Sequence, residues 1–296
     1  MGLDPMTDHE NIQWYPGHMT KTRRMIEADI KLVDAVMEVL DARLPLSSKN
    51  PMTDELTAGK TRLLVLNKVD LADPTVTMEW AQHFKNQHGL PSIELNAQNG
   101  KGVDALAPTL RRLLADRLER NAKRGMNKQL RVMVLGIPNV GKSSLLNRLA
   151  RTAKTKVADR PGVTRGKQWI TMGGGIDLLD TPGILWPKFE DRNVSLRLAF
   201  TGAIKDDVLD VEDIAIALLH WLACHESAAL VARYPVSTPL STDGVVLLQQ
   251  VGSVRNLLMK GGEVDLRRTA SILLDEFRAG KLGRISLERP ESASCL

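Results

Sequence analysis

One eight-residue segment, Gly136-Ile137-Pro138-Asn139-Val140-Gly141-Lys142-Ser143, restricts the fold of this chain more than any other feature. It follows an apolar run at 132–135 and precedes an amphipathic stretch at 142–150, an order that predicts a strand, a loop and a helix. Glycines let backbone amides approach an anion, and a helix N-terminus adds positive potential there. Lys142 can then bind the outer phosphates of a nucleotide, and the Ser143 hydroxyl can bind magnesium. The segment therefore predicts a nucleotide-binding domain.

Short apolar runs alternate with amphipathic segments along the first 180 residues. Strands are predicted at 33–40, 63–66, 91–95, 132–135, 168–171 and 176–179, and helices at 19–30, 75–88, 103–120 and 142–150. This alternation favours an α/β fold with a mostly parallel sheet and helices on both faces. Beyond Trp186 only helices are predicted, at 191–200, 211–222, 253–258 and 266–279. We therefore expect a nucleotide-binding domain over 10–187 and a small all-α domain over 188–296.

Two further segments follow the phosphate loop and suit the same site. Asp180-Thr181-Pro182-Gly183 comes directly after an apolar run, so Asp180 is placed to hold magnesium through water. The Gly183 amide can bond the outermost phosphate and thereby sense its presence. Thr164 lies between these segments in the basic stretch 160–165. It is either a second protein oxygen on magnesium or part of a plain surface loop.

Asn67-Lys68-Val69-Asp70 follows another predicted strand and can read a guanine base. The Asp70 carboxylate can accept from the ring N–H and the exocyclic amine together, whereas adenine offers no such pair of donors. Asn67 can bond the acceptor nitrogen of the five-membered ring, and the Lys68 stem can lie on the base plane. After the third predicted strand, Asn96-Ala97-Gln98 can supply the Ala97 amide to the guanine oxygen.

The order of these segments differs from that of ordinary GTPases, in which the phosphate loop comes first and the guanine reader last. Here the guanine segments at 67–70 and 96–98 precede the phosphate loop and the segment at 180–183. The same pocket can form if the chain is circularly permuted. Gly183 then leads directly into the helical domain, so a phosphate contact at Gly183 can bias the position of that domain.

The charge of the chain is unevenly distributed. Its 296 residues carry a net charge of +5, and 43% of them are hydrophobic, which excludes a disordered polymer. Residues 111–131 hold eight basic and two acidic side chains, and residues 141–170 hold eight and one. These stretches are either a solvated helix face beside a phosphate loop or a contact surface for nucleic acid. Two cysteines and no 18-residue apolar run favour a cytoplasmic protein without a membrane span.

Further segments extend over nearly the whole chain: Trp14-Tyr15-Pro16-Gly17-His18-Met19, Asp41-Ala42-Arg43-Leu44-Pro45 and 266–288, which contains Phe277-Arg278-Ala279-Gly280-Lys281-Leu282-Gly283-Arg284. With the permuted nucleotide segments, they make the chain resemble the ribosome biogenesis GTPase A (YlqF-type) family of circularly permuted GTPases. The resemblance implies a GTPase that binds the immature large ribosomal subunit and its rRNA at a late assembly step. It also implies low turnover alone and stimulation by the particle. We expect a monomer that binds neither DNA nor membrane.

Ordinary small GTPases place a Gln just after the glycine of the third segment to orient the attacking water. Here Ile184, Leu185 and Trp186 follow Gly183, so another group must act. By resemblance, Asn139 is expected to hold a potassium ion against the phosphates. His18 is either a water-orienting group or an ordinary surface or core histidine. The expected catalytic residues are Lys142, Thr164, Gly183, Asn139 and His18.

The expected ligands are GTP or GDP, Mg²⁺ and K⁺. The expected nucleotide contacts are Asn67, Lys68, Asp70, Asn96, Ala97, Gln98, Pro138, Asn139, Val140, Gly141, Lys142, Ser143, Ser144, Thr164 and Gly183, and the expected metal ligands are Ser143, Thr164 and Asp180. Asp41 and Arg43 can pair with each other, with RNA or with the nucleotide domain. An alternative function is a nucleotide-gated RNA-binding module in which hydrolysis is incidental. The guanine reader argues against a metabolic P-loop kinase.

Overall fold

The computed structural model describes residues 16–126, 128–152, 168–183, 185, 191–204, 210–237 and 239–290, with the side chains of 16–20 and 152 left out. Thr164, Trp14 and Tyr15 lie outside the described residues. His18 lies in the first helix, but its side chain is outside them too.

Six strands form one sheet in the spatial order β3-β2-β1-β4-β6-β5. They are β1 (Ala35–Asp41), β2 (Thr61–Asn67), β3 (Ser92–Glu94), β4 (Leu130–Leu135), β5 (Trp169–Met172) and β6 (Ile176–Asp180). Neighbouring strands pair in parallel except β5 and β6, which are antiparallel. The mostly parallel sheet is therefore confirmed. All seven residues of β1 are buried, as expected of a central strand covered on both faces.

The helices among the described residues are α1 (Pro16–Asp29), α2 (Pro51–Leu56), α3 (Pro74–His88), α4 (Leu106–Leu113), α5 (Ala115–Lys123), α6 (Lys142–Thr152), α7 (Arg192–Phe200), α8 (Val211–His225), α9 (Ser227–Arg233), α10 (Gly244–Val254) and α11 (Leu266–Arg278). Asp73 caps α3, its carboxylate accepting from the Thr75 amide at 2.7 Å. The helix predicted at 103–120 is instead a 3-10 turn followed by α4 and α5. It breaks at Leu114, which has non-helical backbone angles and is buried in the core.

The helix predicted at 253–258 is wrong. The structure places α10 earlier, at Gly244–Val254, where the Asp243 carboxylate accepts from the Val245 amide at 2.8 Å and caps the first turn. Asn256 has a φ of +52°, which ends the helical path, and Leu258 then pairs with Val264 in an isolated antiparallel bridge. The cap and the turn, rather than apolar periodicity, define this element.

The second part of the described chain is helical, with α8 packed against α7, α9, α10 and α11. Its core is continuous with that of the sheet, because buried residues of β1 and β4 belong to the same cluster as those of α8 and α11. The predicted domain boundary near 187 falls among residues outside the described part. No single helix in the described ranges is long and apolar enough to cross a membrane, and only the bent pair α8 and α9 passes that test together.

The chain returns to the sheet after α11. The Ile285 amide donates to the Leu71 carbonyl at 2.9 Å, and the Leu287 amide donates to the Arg43 carbonyl at 2.7 Å. Trp80 Nε1 donates to the Glu288 carbonyl at 3.1 Å. The last described residues therefore lie on the loops that follow β1 and β2, although the sequence predicted them in a separate helical domain.

Candidate nucleotide-binding site

A cavity of about 720 Å³ lies where β2, β4 and β6 end. The carboxyl ends of parallel strands are the usual ligand edge of an open α/β sheet, and this volume is typical of small-molecule sites. The predicted residues that line it are Asn67, Lys68, Asp70, Asn96, Ala97, Gln98, Pro138, Asn139, Gly141, Lys142, Ser143, Ser144 and Gly183. Segments far apart in the sequence therefore meet at one site, as the permuted order requires.

The phosphate loop runs from the end of β4 to Lys142, the first residue of α6. Gly141 has a φ of +93°, and a Cβ there would lie 2.2 Å from Asn67 Nδ2, so both conformation and space demand glycine. The Val140 side chain is buried in the core, so only its backbone can reach a nucleotide. The Thr181 hydroxyl donates to the Val134 carbonyl at 2.6 Å and ties β6 to the strand before the loop.

The guanine-reading segment is bonded directly to the phosphate loop. Asn67 Nδ2 donates to the Val140 carbonyl at 2.7 Å, and Lys68 Nζ donates to the Asn139 carbonyl at 2.5 Å. The Ala97 amide donates to Asn67 Oδ1 at 2.9 Å. Asn67 and Ala97 thus hold three loops together here. Their predicted contacts with the guanine ring nitrogen and oxygen stay predictions.

Lys68 has a second partner that the sequence did not predict. Its ammonium lies 2.9 Å from Asp41 Oδ2, and Arg43 holds the same carboxylate through Nε at 3.0 Å and Nη2 at 2.8 Å. The predicted pairing of Asp41 with Arg43 is confirmed. Burial would raise the pKa of Asp41, but the guanidinium and ammonium beside it outweigh burial and hold that pKa well below its usual range. Asp41 therefore stays ionised and fixes Lys68.

Asp70 is exposed and lines the cavity. Within the part of the chain that the structure describes, no donor is bonded to its carboxylate, so both oxygens are available to a ligand. The predicted pair of bonds to guanine requires this arrangement. A carboxylate already bonded to protein donors could not also accept from both the ring N–H and the exocyclic amine of guanine.

The turn after β3 is held by the side chain of Asn96, which lies within it, and by Arg148 on α6. Asn96 Oδ1 accepts from the Gln98 amide at 2.7 Å and from the Asn99 amide at 3.0 Å. Arg148 Nε donates to the Ala97 carbonyl at 2.6 Å, and Arg148 Nη2 bonds the Gln98 carbonyl. Sequence analysis missed Arg148, because a helical arginine six residues after Lys142 carries no motif of its own.

One predicted phosphate-binding residue contacts one predicted metal ligand. Lys142 Nζ bonds Asp180 Oδ1, and Lys142 and Ser143 line the cavity. A hydroxyl and a carboxylate are the hard oxygen donors that magnesium takes, so Ser143 and Asp180 fit it. The described residues contain no cluster of three or more His, Cys, Asp or Glu side chains suited to a metal. Magnesium held by Ser143 and Asp180 would need further oxygen ligands, which the phosphates of a nucleotide would supply.

The helical part of the chain reaches the same cavity. Arg278 and Ala279, at the end of α11, line it, and sequence analysis had not predicted them. Arg278 Nε and Nη2 donate to the carbonyls of Phe200 and Ala199 at 3.1 and 2.9 Å. Gly183 lies so close to the phosphate loop that a Cβ there would be 3.1 Å from the Pro138 nitrogen. The segment at 277–284 was noticed only through its family resemblance.

Comparison with known proteins agrees with this geometry. A family described as 50S ribosome-binding GTPase matches residues 131–238, which contain the phosphate loop but not the guanine reader. Ribosome biogenesis GTPase A of Priestia megaterium is 46% identical over 284 residues, covering 95% of this chain and 98% of that protein. Mitochondrial ribosome-associated GTPase 1 of Mus musculus is 33% identical, covering 98% and 94% respectively.

Solved structures of similar fold include the GNP-bound YlqF from T. maritima. It matches with a TM-score of 0.63 at 26% identity, covering 92% of this chain and 99% of that one. A GDP-bound TM YlqF structure matches with a TM-score of 0.66 at 28% identity, covering 90% and 100%. The permuted order of the nucleotide segments, the sheet that unites them and the near full-length similarity place this chain in the ribosome biogenesis GTPase A (YlqF-type) family of circularly permuted P-loop GTPases.

Proposed function

We propose that this protein hydrolyses GTP and couples GTP binding and hydrolysis to a late step in the assembly of the large ribosomal subunit, whose precursor and rRNA it binds. The observation that carries the proposal is the single cavity at which the guanine reader, the phosphate loop and α11 meet. We further propose a cytoplasmic monomer that binds neither DNA nor membrane, with the division at residue 187 separating its nucleotide and helical domains.

The residues around the cavity divide the work of binding. The Asp70 carboxylate accepts from guanine, and Lys68, held by Asp41 and the Asn139 carbonyl, places its stem beside the base. Lys142 pairs with the phosphates, because their charge exceeds that of the single Asp180 carboxylate it contacts here. Ser143, Asp180 and Thr164 would hold magnesium, which neutralises charge developing on the phosphates.

Hydrolysis needs a substitute for the missing glutamine. Asn139 Nδ2 donates to the Gly202 carbonyl, which leaves Oδ1 as the atom for a potassium ion. That cation would supply the positive charge that an arginine finger brings to other GTPases. His18 is the proposed water-orienting group, because an imidazole can orient water and because the resemblance points to it. A double variant, Asn139→Ala with His18→Ala, that kept full stimulated turnover would eliminate both roles.

An exposed basic surface supports an RNA partner. Helices α4 and α5 carry the exposed Arg112, Arg120 and Lys123, and the exposed Arg124 directly follows α5; both helices have basic residues in their last turn. Positive side chains of this kind bind phosphates by releasing counterions. The same helices belong to the nucleotide domain, so RNA bound there would contact the domain that holds GTP.

The test is GTP hydrolysis in potassium buffer, with and without purified large ribosomal subunits, and with ATP as the base control. We expect turnover to rise by at least about tenfold with subunits, for GTP alone. Immature particles should stimulate more strongly than mature ones if the protein acts late in assembly. Tight GTP binding with unchanged turnover would overturn the proposal and favour the nucleotide-gated RNA-binding module instead.

A further inference from the structure

The chain after α11 lies against the loop that contains Lys68 and Asp70 and is bonded to it. Residues Arg284 to Glu288, called the terminal strap here, follow a tight turn that starts at Gly280. Gly280 has a φ of +73°, and a Cβ there would lie 2.5 Å from Leu71 Cδ2. This turn therefore places the strap next to the segment that contains Asp70.

Four hydrogen bonds join the strap to this loop. Arg284 Nη2 donates to the Val69 carbonyl at 2.8 Å, and Arg284 Nε donates to the Ala72 carbonyl at 3.0 Å. The Ile285 amide donates to the Leu71 carbonyl at 2.9 Å. In the opposite direction, the Asp73 amide donates to the Ser286 hydroxyl at 3.1 Å. The carbonyls immediately before and after Asp70 are thus both held by the strap.

The loop has little internal support of its own. Lys68, which opens it, has a φ of +63°, a region that few residues other than glycine adopt. Inside the loop the Leu71 amide donates to the Lys68 carbonyl at 2.9 Å, while the Val69 amide reaches the Leu95 carbonyl only at 3.4 Å. The orientation of Asp70 is therefore set largely from outside, by residues more than 200 positions later in the chain.

We propose that Arg284 is a positioning residue for guanine recognition, which holds the Val69 and Ala72 carbonyls so that the Asp70 carboxylate faces the base. The proposal rests on the guanine site of the proposed function and assigns to the strap a part in nucleotide selectivity. Arg284 does not line the cavity and acts through the backbone on both sides of Asp70.

Inosine nucleotides provide a sharp probe of this role. IDP keeps the ring N–H of guanine but lacks the exocyclic amine, so GDP can make one bond to Asp70 that IDP cannot. We expect the wild type to bind GDP about tenfold more tightly than IDP, since a bond to a charged group is worth roughly that much. The ratio of the IDP and GDP dissociation constants therefore reports whether the Asp70 carboxylate is oriented toward the base.

The experiment measures GDP, IDP and ADP affinities of the full chain and of Arg284→Gln. Arg284 is exposed, so its replacement leaves the core intact. We expect GDP affinity to fall by about tenfold and IDP affinity by less than about threefold, so that the ratio collapses. Arg289→Gln is the matched control, because Arg289 is also exposed and pairs with Glu79 at 3.6 Å rather than with the loop.

Each outcome is distinct. A wild type that binds ADP as well as GDP overturns the guanine site itself, and with it the proposed function. A selective wild type with an unchanged GDP-to-IDP ratio in Arg284→Gln overturns only the role of Arg284. Equal losses for GDP and IDP also overturn it, because they indicate general weakening of the pocket. If Arg284→Gln fails to fold, Arg284→Lys keeps the charge and one bond, and should give an intermediate ratio.

Discussion

The side-chain amide of Asn139 donates a hydrogen bond from Nδ2 to the Gly202 carbonyl, over 2.6 Å. Asn139 belongs to the phosphate loop and Gly202 follows α7, so the bond joins the nucleotide-binding part to the helical part. Asn139 adopts a φ of +59°, which asparagine tolerates better than most residues. This bond is a direct route by which a change in the phosphate loop would reach the end of α7.

Replacing Asn139 should uncouple hydrolysis from potassium. Asn139→Gly removes the side-chain oxygen without adding backbone strain, because glycine adopts a positive φ freely. We expect turnover in potassium to fall by about 100-fold toward the rate in sodium, as when a group that stabilises the transition state is lost. Steady-state hydrolysis in the two salts measures this effect.

Asn147→Ala is the control for the potassium experiment, since Asn147 is exposed on α6 and does not line the cavity. It should keep the difference between potassium and sodium. Retention of full potassium stimulation by Asn139→Gly would show that the ion, if it acts, is held by other groups.

Asp70→Asn should exchange guanine for xanthine. The amide keeps one acceptor but presents a donor where the carboxylate had an acceptor, so it clashes with the exocyclic amine of guanine and suits the oxygen of xanthine. We expect GDP affinity to fall by about 2–3 kcal/mol and XDP affinity to rise. Titration calorimetry with both nucleotides measures this, and Asp104→Asn, on an exposed turn, is the control. Unaltered GDP binding by Asp70→Asn would remove Asp70 from the base site.

Sequence analysis predicted those site residues whose positions depend on residues adjacent to them in the sequence. Gly141, Lys142 and Ser143 must stand in a fixed order, because the loop and the helix start place them directly around a phosphate. Asp70 was identifiable for the same reason, since it follows a strand end by a constant spacing. The alternation of strands and helices likewise predicted the parallel sheet, because the strands are rich in buried apolar residues.

The supporting contacts could not be predicted in the same way. Arg284 meets Val69 across 215 positions, and Arg148 meets the Ala97 carbonyl across 51 positions. Such pairs join a side chain to a backbone carbonyl, so the partner's residue type carries no signal. Helix α10 was misplaced for a related reason, because its start depends on the cap at Asp243 rather than on apolar spacing.

Glu276 on α11 should make stability depend on pH. Its carboxylate accepts from Arg233 Nη2 at 2.6 Å, the Tyr234 hydroxyl at 2.8 Å and Arg255 Nη2 at 3.0 Å. The hydrogen bonds from Arg233, with smaller contributions from Tyr234 and Arg255, lower the pKa of Glu276 from 4.5 to about 2. A lowered carboxylate pKa contributes stability that is complete above the ordinary pKa and is lost as pH falls toward the folded one.

Glu276→Gln should therefore lower the free energy of unfolding at pH 7. We expect the loss to be limited to about 2 kcal/mol, because both arginines are partly exposed and screened by water. The cost should stay constant down to about pH 5 and shrink as the pH falls further, as the wild type loses its advantage. Urea unfolding of both proteins from pH 7 to pH 3.5 measures it. A cost that is the same at every pH would mean that the charge of Glu276 contributes nothing.

Glu288 should anchor the terminal strap to the turn after β1. Its buried Oε1 accepts from the Ser47 amide at 3.0 Å and the Leu46 amide at 2.5 Å, and Oε2 accepts from the Ser47 hydroxyl at 2.5 Å. Glu288→Ala leaves these donors without an acceptor, so we expect a loss of about 3 kcal/mol in the free energy of unfolding. Ser47→Ala removes one bond and should cost about 1 kcal/mol. The loss in the double variant should be smaller than the sum of the two single losses, because each single variant already removes the bond between the Ser47 hydroxyl and Glu288. Urea unfolding measures all three, and strictly additive losses would mean that Glu288 and Ser47 act independently.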